Sequence, residues 1–101
     1  MRVLLNIKFP MHQFNLAVKD GTAGAKLHRI LDAIKPEAVY FTEQHGERGA
    51  VVVVNMKDAS QIPSLAEPWF LTFEASVEFK IAMIPADLKK GGLDVLGKKW
   101  G

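Results

Sequence analysis

The sequence contains no cysteine among its 101 residues. This absence excludes a disulfide framework, a thiolate nucleophile and any metal site with cysteine ligands. Long hydrophobic runs are missing as well. The opening stretch, residues 1–9, is too short for a signal peptide or a membrane span, and Asn6 and Lys8 make it too polar. We therefore expect a cytoplasmic protein that does not enter a membrane.

Histidine is scarce, and the three present (His12, His28 and His45) show no HxH or HExxH spacing. No serine lies in a nucleophile elbow. These absences leave no catalytic or metal motif to assign. We expect neither a metal nor any other cofactor.

Basic residues give the chain a formal net charge of +2 and a pI near 9.0. They are scattered singly, apart from the pairs Lys89–Lys90 and Lys98–Lys99. No basic stripe is interleaved with aromatic residues, which is the usual footprint of a nucleic-acid-binding surface. Nucleic acid is therefore not an expected partner.

Four stretches have the composition of β-strands: residues 1–9, 38–44, 50–56 and 75–85. In the first, Val3, Leu5 and Ile7 alternate with more polar residues, which predicts one buried face. The hairpin between the second and third strands is predicted at residues 45–49, where two glycines supply positive φ values. For Tyr40 in the second strand, periodicity leaves the choice of face open.

Helical periodicity covers residues 11–34, with Gly21 and Gly24 as a predicted kink or break. A second helix begins at a cap formed by Asp58 and Gln61 and ends near Phe73, and its prolines predict two short pieces. One helical turn is expected at residues 85–90. The domain thus spans residues 1–90, followed by a loose tail at 91–101.

The order of these elements predicts an α+β, ferredoxin-like βαββαβ fold with a four-stranded antiparallel sheet. Both helices then cover the same face of the sheet. The third strand has four consecutive valines, Val51–Val54, so neither of its faces is polar. We therefore expect a homodimer in which the sheet faces of two copies pack together.

The chain resembles the dimeric α/β-barrel superfamily over residues 1–90. The resemblance rests on Pro36-Glu37, the glycine-containing hairpin, the Asp58 cap, Glu67-Pro68 and the final Ile84–Leu88 segment. It implies a dimer with a ligand pocket between sheet and helices in each subunit. The activities of the superfamily are diverse, so the fold does not choose a reaction.

The oxygenases of that superfamily carry an Asn on the first strand and a Trp on the second helix, and Asn6 and Trp69 fall in comparable places. Its haem degraders need a histidine on the second helix, which this chain lacks. The candidate ligand-binding residues are Asn6, Tyr40, Glu78, Lys80, Trp69 and His12. Each also has an ordinary structural interpretation, such as an aromatic that fills the core or a solvated loop histidine.

Two classes of function remain open from the sequence. The first is a protein that binds a small apolar or aromatic molecule in a cavity between sheet and helices, near Gly21–Gly24; within this class, a cofactor-free monooxygenase-like enzyme is a further alternative. The second is a non-catalytic interaction or regulatory dimer. A cavity with convergent polar groups favours the first class, and a filled interior favours the second.

We predict that the chain does not bind haem or a metal ion tightly. The reasons are the missing cysteines, the lack of paired histidines and the lack of a histidine between Asp58 and Ala75. A haem titration should give no sharp Soret shift. A shift with submicromolar affinity would contradict the prediction and would implicate His12 or His28.

Overall fold

The computed structural model describes all 101 residues of the chain. A single 3-10 turn at residues 59–61 precedes the third helix. In chain order the elements are β1 (Arg2–Lys8), α1 (Met11–Lys19), α2 (Ala23–Ile34), β2 (Ala38–Gln44), β3 (Glu47–Asn55), α3 (Ile62–Phe73), β4 (Ser76–Ala82), α4 (Pro85–Lys90) and α5 (Leu93–Trp100). None of the helices is long enough and apolar enough to cross a bilayer.

The four strands form one antiparallel sheet in the order β2-β3-β1-β4. The first and third strands are therefore central, as the ferredoxin-like prediction requires. The α+β class and the four-stranded antiparallel sheet are confirmed.

The core lies on the face of the sheet that packs against the helices. Alternation in β1 buries Val3, Leu5 and Ile7, and alternation in β3 buries Val52 and Val54. Four aromatic residues complete this core: Phe9 after β1, Phe14 of α1, and Trp69 and Phe73 of α3. The buried set consists only of apolar residues, so burial of apolar surface is the main stabilising term on this side of the sheet.

The hairpin between β2 and β3 is tighter than the sequence predicts. Only His45 and Gly46 form the loop, with φ values of 52° and 81°. Positive φ at both positions is the signature of a type I′ turn, which matches the twist of the flanking strands. Gly49 was predicted to lie in the loop, but it is a buried residue of β3.

The first helical region is two helices, because the chain breaks at residues 20–22. Gly21 has a φ of 81°, and the Asp20 carboxylate accepts hydrogen bonds from the backbone N–H and the hydroxyl of Thr22. The Thr22 hydrogen bonds lower the pKa of Asp20. The predicted break is thus present at Gly21, whereas Gly24 lies within α2 and takes no part in it.

The cap of the second helical region is confirmed. The Asp58 carboxylate accepts hydrogen bonds from the backbone N–H and the hydroxyl of Ser60, and these lower the pKa of Asp58. The Gln61 side chain accepts in turn from the backbone N–H groups of Lys57 and Asp58. The prediction of two short pieces is wrong, since α3 continues through Pro68 as one helix.

Within the predicted tail, residues 93–100 form the helix α5. The apolar residues Leu93, Leu96 and Trp100 recur every three or four positions, which is the helical period. The two C-terminal helices extend away from the sheet, so the molecule is 59 Å long but only 28 and 19 Å across. Its radius of gyration is 16.9 Å, compared with roughly 13 Å for a compact domain of 100 residues.

The close packing around Gly49 predicts that Gly49→Ala destabilises the fold. An added Cβ would clash with the side chain of Gln44 and would lie 2.8 Å from the backbone oxygen of Ile7, so the backbone of the neighbouring strand must shift. Thermal unfolding should show a clearly lower Tm.

Gly24→Ala is the matched control, because a Cβ at Gly24 meets no atom within 4 Å and alanine favours helix. Its Tm should equal or exceed that of the parent. Equal Tm values for the Gly49 and Gly24 variants would contradict this account of the hairpin.

Candidate functional site

The face of the sheet opposite the helices, here called the open face, has no covering element within the chain. At its centre lie Leu4 of β1 and Val51 and Val53 of β3, all of them partly exposed. These three side chains form an apolar strip across the two central strands. The alternate valines, Val52 and Val54, point to the core, so β3 is apolar on both faces as its sequence predicts.

Polar groups flank this strip in register. One row across the sheet consists of Tyr40, Val51, Asn6 and Glu78. Directly opposed residues in antiparallel strands have Cβ atoms about 4.5–5.5 Å apart, so adjacent members of the row can touch one ligand or one partner side chain. The register also settles the face of Tyr40, which shares the open face with Asn6.

The next row repeats the arrangement with different chemistry. It consists of Ala38, Val53, Leu4 and Lys80. Lys80 and Glu78 therefore lie two residues apart along β4 on the same face, and each flanks the apolar strip. The predicted candidates Asn6, Tyr40, Glu78 and Lys80 are thus brought together by the sheet.

These four side chains are free to bind something outside the chain. None of them takes part in a side-chain hydrogen bond or an ion pair. Tyr40 has 65% of its surface exposed. The group offers a phenol, an amide, a carboxylate and an ammonium around an apolar strip.

Glu43 does not join this group, although the sequence suggested a shared acid–base set with Glu78 and Lys80. It lies three residues after Tyr40, so its side chain points to the opposite face of β2. There it accepts a hydrogen bond of 2.7 Å from the backbone N–H of Gly46. Its role is to hold the hairpin turn.

His12 lies at the end of the sheet rather than on it. It is an exposed residue of α1 and lines a shallow cleft of about 520 Å³ with Lys8, Glu47, Glu74 and Ser76. Lys8 and Ser76 oppose each other in the row that follows Asn6 and Glu78, so the cleft continues the open face. Lys8 forms an ion pair of 3.1 Å with Glu47. No group of three or more carboxylate or imidazole side chains in the chain is placed to hold a metal ion.

Trp69 is separated from the other candidates by the sheet. Its side chain is fully buried, with its ring 6.0 Å from that of Phe9. The interpretation of Trp69 as a residue that shares a cavity with Asn6 is therefore wrong. Its indole N–H has no hydrogen-bond partner, which is an unfavourable feature that the surrounding aromatic packing must offset.

The space between sheet and helices is filled by aromatic rings. The Phe9 ring centroid lies 4.8 Å from that of Phe14 and 5.3 Å from that of Phe73, and the rings of Phe14 and Phe73 are stacked at 5.1 Å. The four cavities of the molecule all lie elsewhere, and none touches Gly21 or Gly24. The predicted pocket between sheet and first helix is therefore absent.

Sequence reasoning missed a groove between α2 and α3 on the outer side of the helices. It has a volume of about 520 Å³ and is lined by Ile30, Pro63 and Leu71 together with Arg29 and Glu67. Helical periodicity could have placed Leu71 away from the core, because Trp69 and Phe73 occupy the inward positions. The pairing of α2 with α3 depends on tertiary structure and carries no local signal.

In structure, the chain is similar to 5-chloro-2-hydroxyhydroquinone dehydrochlorinase (TftG) from Burkholderia phenoliruptrix, solved as a complex with 2,5-dihydroxybenzoquinone. The TM-score is 0.58 at 15% sequence identity, and the match covers 82% of this chain and 94% of that protein. At this level of identity the likeness shows a shared fold and nothing beyond it. No protein-family model and no curated protein matches its sequence. The structural likeness supports the predicted α+β fold with a four-stranded antiparallel sheet, and it does not test the predicted dimer.

The burial of Trp69 predicts a structural role. Trp69→Ala should lower the free energy of unfolding by about 3–5 kcal/mol, because it leaves a large cavity among the aromatic rings. Leu71→Ala, two residues along the same helix and exposed, should cost less than about 0.5 kcal/mol. Urea denaturation at one fixed protein concentration measures both. Similar losses for the two variants would show that Trp69 is not part of the core.

Proposed function

We propose that the chain forms a homodimer through its open face and that the two apposed sheets enclose a site for a small apolar or aromatic molecule. The observation that carries the proposal is the row of Tyr40, Val51, Asn6 and Glu78, which combines apolar surface with unpaired polar groups.

The dimer is supported by the apolar strip at the centre of the open face. Leu4, Val51 and Val53 remain partly exposed in the single chain, and burial of such surface contributes about 25 cal/mol per Å². Polar residues at both sides of the strip give it the layout of an interface, with an apolar centre and a polar rim. A second copy supplies an identical face and so meets the strip with matching chemistry.

The ligand class follows from the unpaired groups. A flat ring can lie on the valines, while Asn6 donates to or accepts from a ring substituent and the Tyr40 hydroxyl does the same from the neighbouring strand. Hydroxyl or carbonyl substituents fit this set best, with Lys80 able to stabilise a negatively charged oxygen. The structure of TftG with 2,5-dihydroxybenzoquinone supports this choice, because that protein uses the same subunit fold to hold a ring with such substituents.

A second candidate function is a non-catalytic interaction or regulatory dimer. The filled interior favours it, since the rings of Phe9, Phe14 and Phe73 leave no cavity behind the sheet. The monooxygenase-like alternative loses its support, because it relies on Asn6 and Trp69 acting together. Those two residues lie on opposite sides of the sheet.

The dimer interface predicts that Val53→Asp dissociates the protein into folded monomers, because two buried carboxylates cannot be accommodated at the strip. Asp32→Lys, an exposed charge change on the helical side, should leave the dimer intact. Sedimentation equilibrium at micromolar concentration distinguishes them, with circular dichroism as the check on folding. A parent protein that stays monomeric would refute the interface.

The proposed ligand site is tested in two steps. Native mass spectrometry of the purified dimer detects a bound molecule as extra mass, and titration with 2,5-dihydroxybenzoquinone as the probe measures binding. Asn6→Leu fills the same volume without an amide and should weaken binding of the probe at least tenfold while the dimer persists. A dimer that carries no extra mass and does not bind the probe would favour the interaction module instead.

A further inference from the structure

The two C-terminal helices, α4 and α5, form an arm (residues 85–101) that has no packing partner in its own chain. All fourteen residues of these helices are exposed. Helices shorter than about 12–15 residues are marginal in water unless they pack against something. The arm has six and eight residues in its helices, so its helical state requires a surface that the single chain does not provide.

The second helix of the arm, α5, is amphipathic. In α5 the positions of Leu93, Leu96 and Trp100 fall on one side of the helix, and 60% of Leu93 and 76% of Trp100 are exposed. Where the two helices meet, Leu88 and Val95 line an open cleft with a volume of about 470 Å³. An apolar stripe of this kind marks a contact surface.

The solvent-accessible area of the chain is large enough to supply a dimer interface. A compact monomer of 11.2 kDa exposes roughly 5,700 Å², whereas this chain exposes 7105 Å². The excess of roughly 1,400 Å² per chain is larger than the area of about 800 Å² that each partner buries in a standard interface, so the exposed surface is sufficient for one. The arm begins at Pro85, three residues after the end of β4, and β4 is an edge strand of the sheet that carries the open face.

The net charge of the chain does not oppose a second copy as the partner of the arm. Residues 1–84 carry nine basic and nine acidic side chains, while the arm carries four lysines and two aspartates. The whole formal charge of +2 therefore belongs to the arm. Residues 1–84 of a second copy carry no net charge, so they do not repel the arm.

We propose that the arm clasps the second copy of this chain, with Leu93, Leu96 and Trp100 buried against the partner subunit. This inference rests on the dimer of the proposed function, which the open face forms independently. Each subunit then contributes one arm, as the twofold symmetry of a homodimer requires. The arm adds area to the interface and gains its helical stability from that contact.

Trp100 provides a direct reporter, because the chain has only one other tryptophan, Trp69, and that residue is fully buried. In the full-length parent, acrylamide quenching and emission wavelength are measured from nanomolar to micromolar concentration. Trp100 should become protected from acrylamide, with a blue shift, at the concentration where sedimentation shows the dimer. Trp100→Phe gives the background of Trp69 alone.

Leu96→Asp and Lys98→Asp form a matched pair of variants, with the same residue introduced on different sides of α5. We expect Leu96→Asp to raise the dimer Kd at least tenfold and Lys98→Asp to change it less than threefold. Equal effects, or a parent dimer in which Trp100 remains fully quenchable, would overturn the clasp while leaving the sheet-face dimer in place. A Val53→Asp protein that still dimerises with Trp100 protected would overturn the sheet interface instead.

Two further outcomes would also overturn the clasp. The first is protection of Trp100 only when vesicles containing anionic phospholipid are added, which would assign the arm to a membrane surface. The second is protection only on addition of duplex DNA, which would assign it to nucleic acid. The lysines at 89, 90, 98 and 99 make these the two controls to include.

Discussion

The structure depends on one constraint: its sheet is covered by helices on one face only. The βαββαβ order with right-handed crossovers returns both helical regions to the same side, so half of the side chains of every strand face away from the core. The strands differ in the polarity of the side chains that they place on this uncovered face. The first and fourth strands place Asn6, Glu78 and Lys80 on the open face, but the third strand places Val51 and Val53 there. Those valines leave apolar surface partly exposed on the open face, which is the basis of the proposed dimer.

The aromatic core has a consequence for function. Phe9, Phe14, Trp69 and Phe73 fill the volume between sheet and helices so completely that no cavity remains there. The packing leaves no room for a ligand between sheet and helices, whereas the unpaired polar side chains lie on the other side of the sheet. The same packing explains why Trp69 cannot serve the open face, and it places the indole N–H in a site without a hydrogen-bond partner.

Local patterns in the sequence were sufficient to predict the strands, their central and edge positions, the Asp58 cap and the break at Gly21. Period-two alternation also placed Asn6, Glu78 and Lys80 on one face, because alternation is a property of the strand itself. The face of Tyr40 depended on the pairing of β2 with β3, which a single strand does not encode. The position of Trp69, the α2–α3 groove and the helical arm depend on contacts between distant segments, so periodicity could not reveal them.

The central claim is that a second copy covers the open face, and the most direct measurement is of contacts between protomers. A dimer mixed from isotope-labelled and unlabelled chains permits isotope-filtered NOE spectroscopy, which detects only intermolecular proximity. The account predicts intermolecular NOEs to the methyl groups of Leu4, Val51 and Val53. A dimer whose intermolecular NOEs arise only from residues of α2 and α3, with none from these methyl groups, would contradict it.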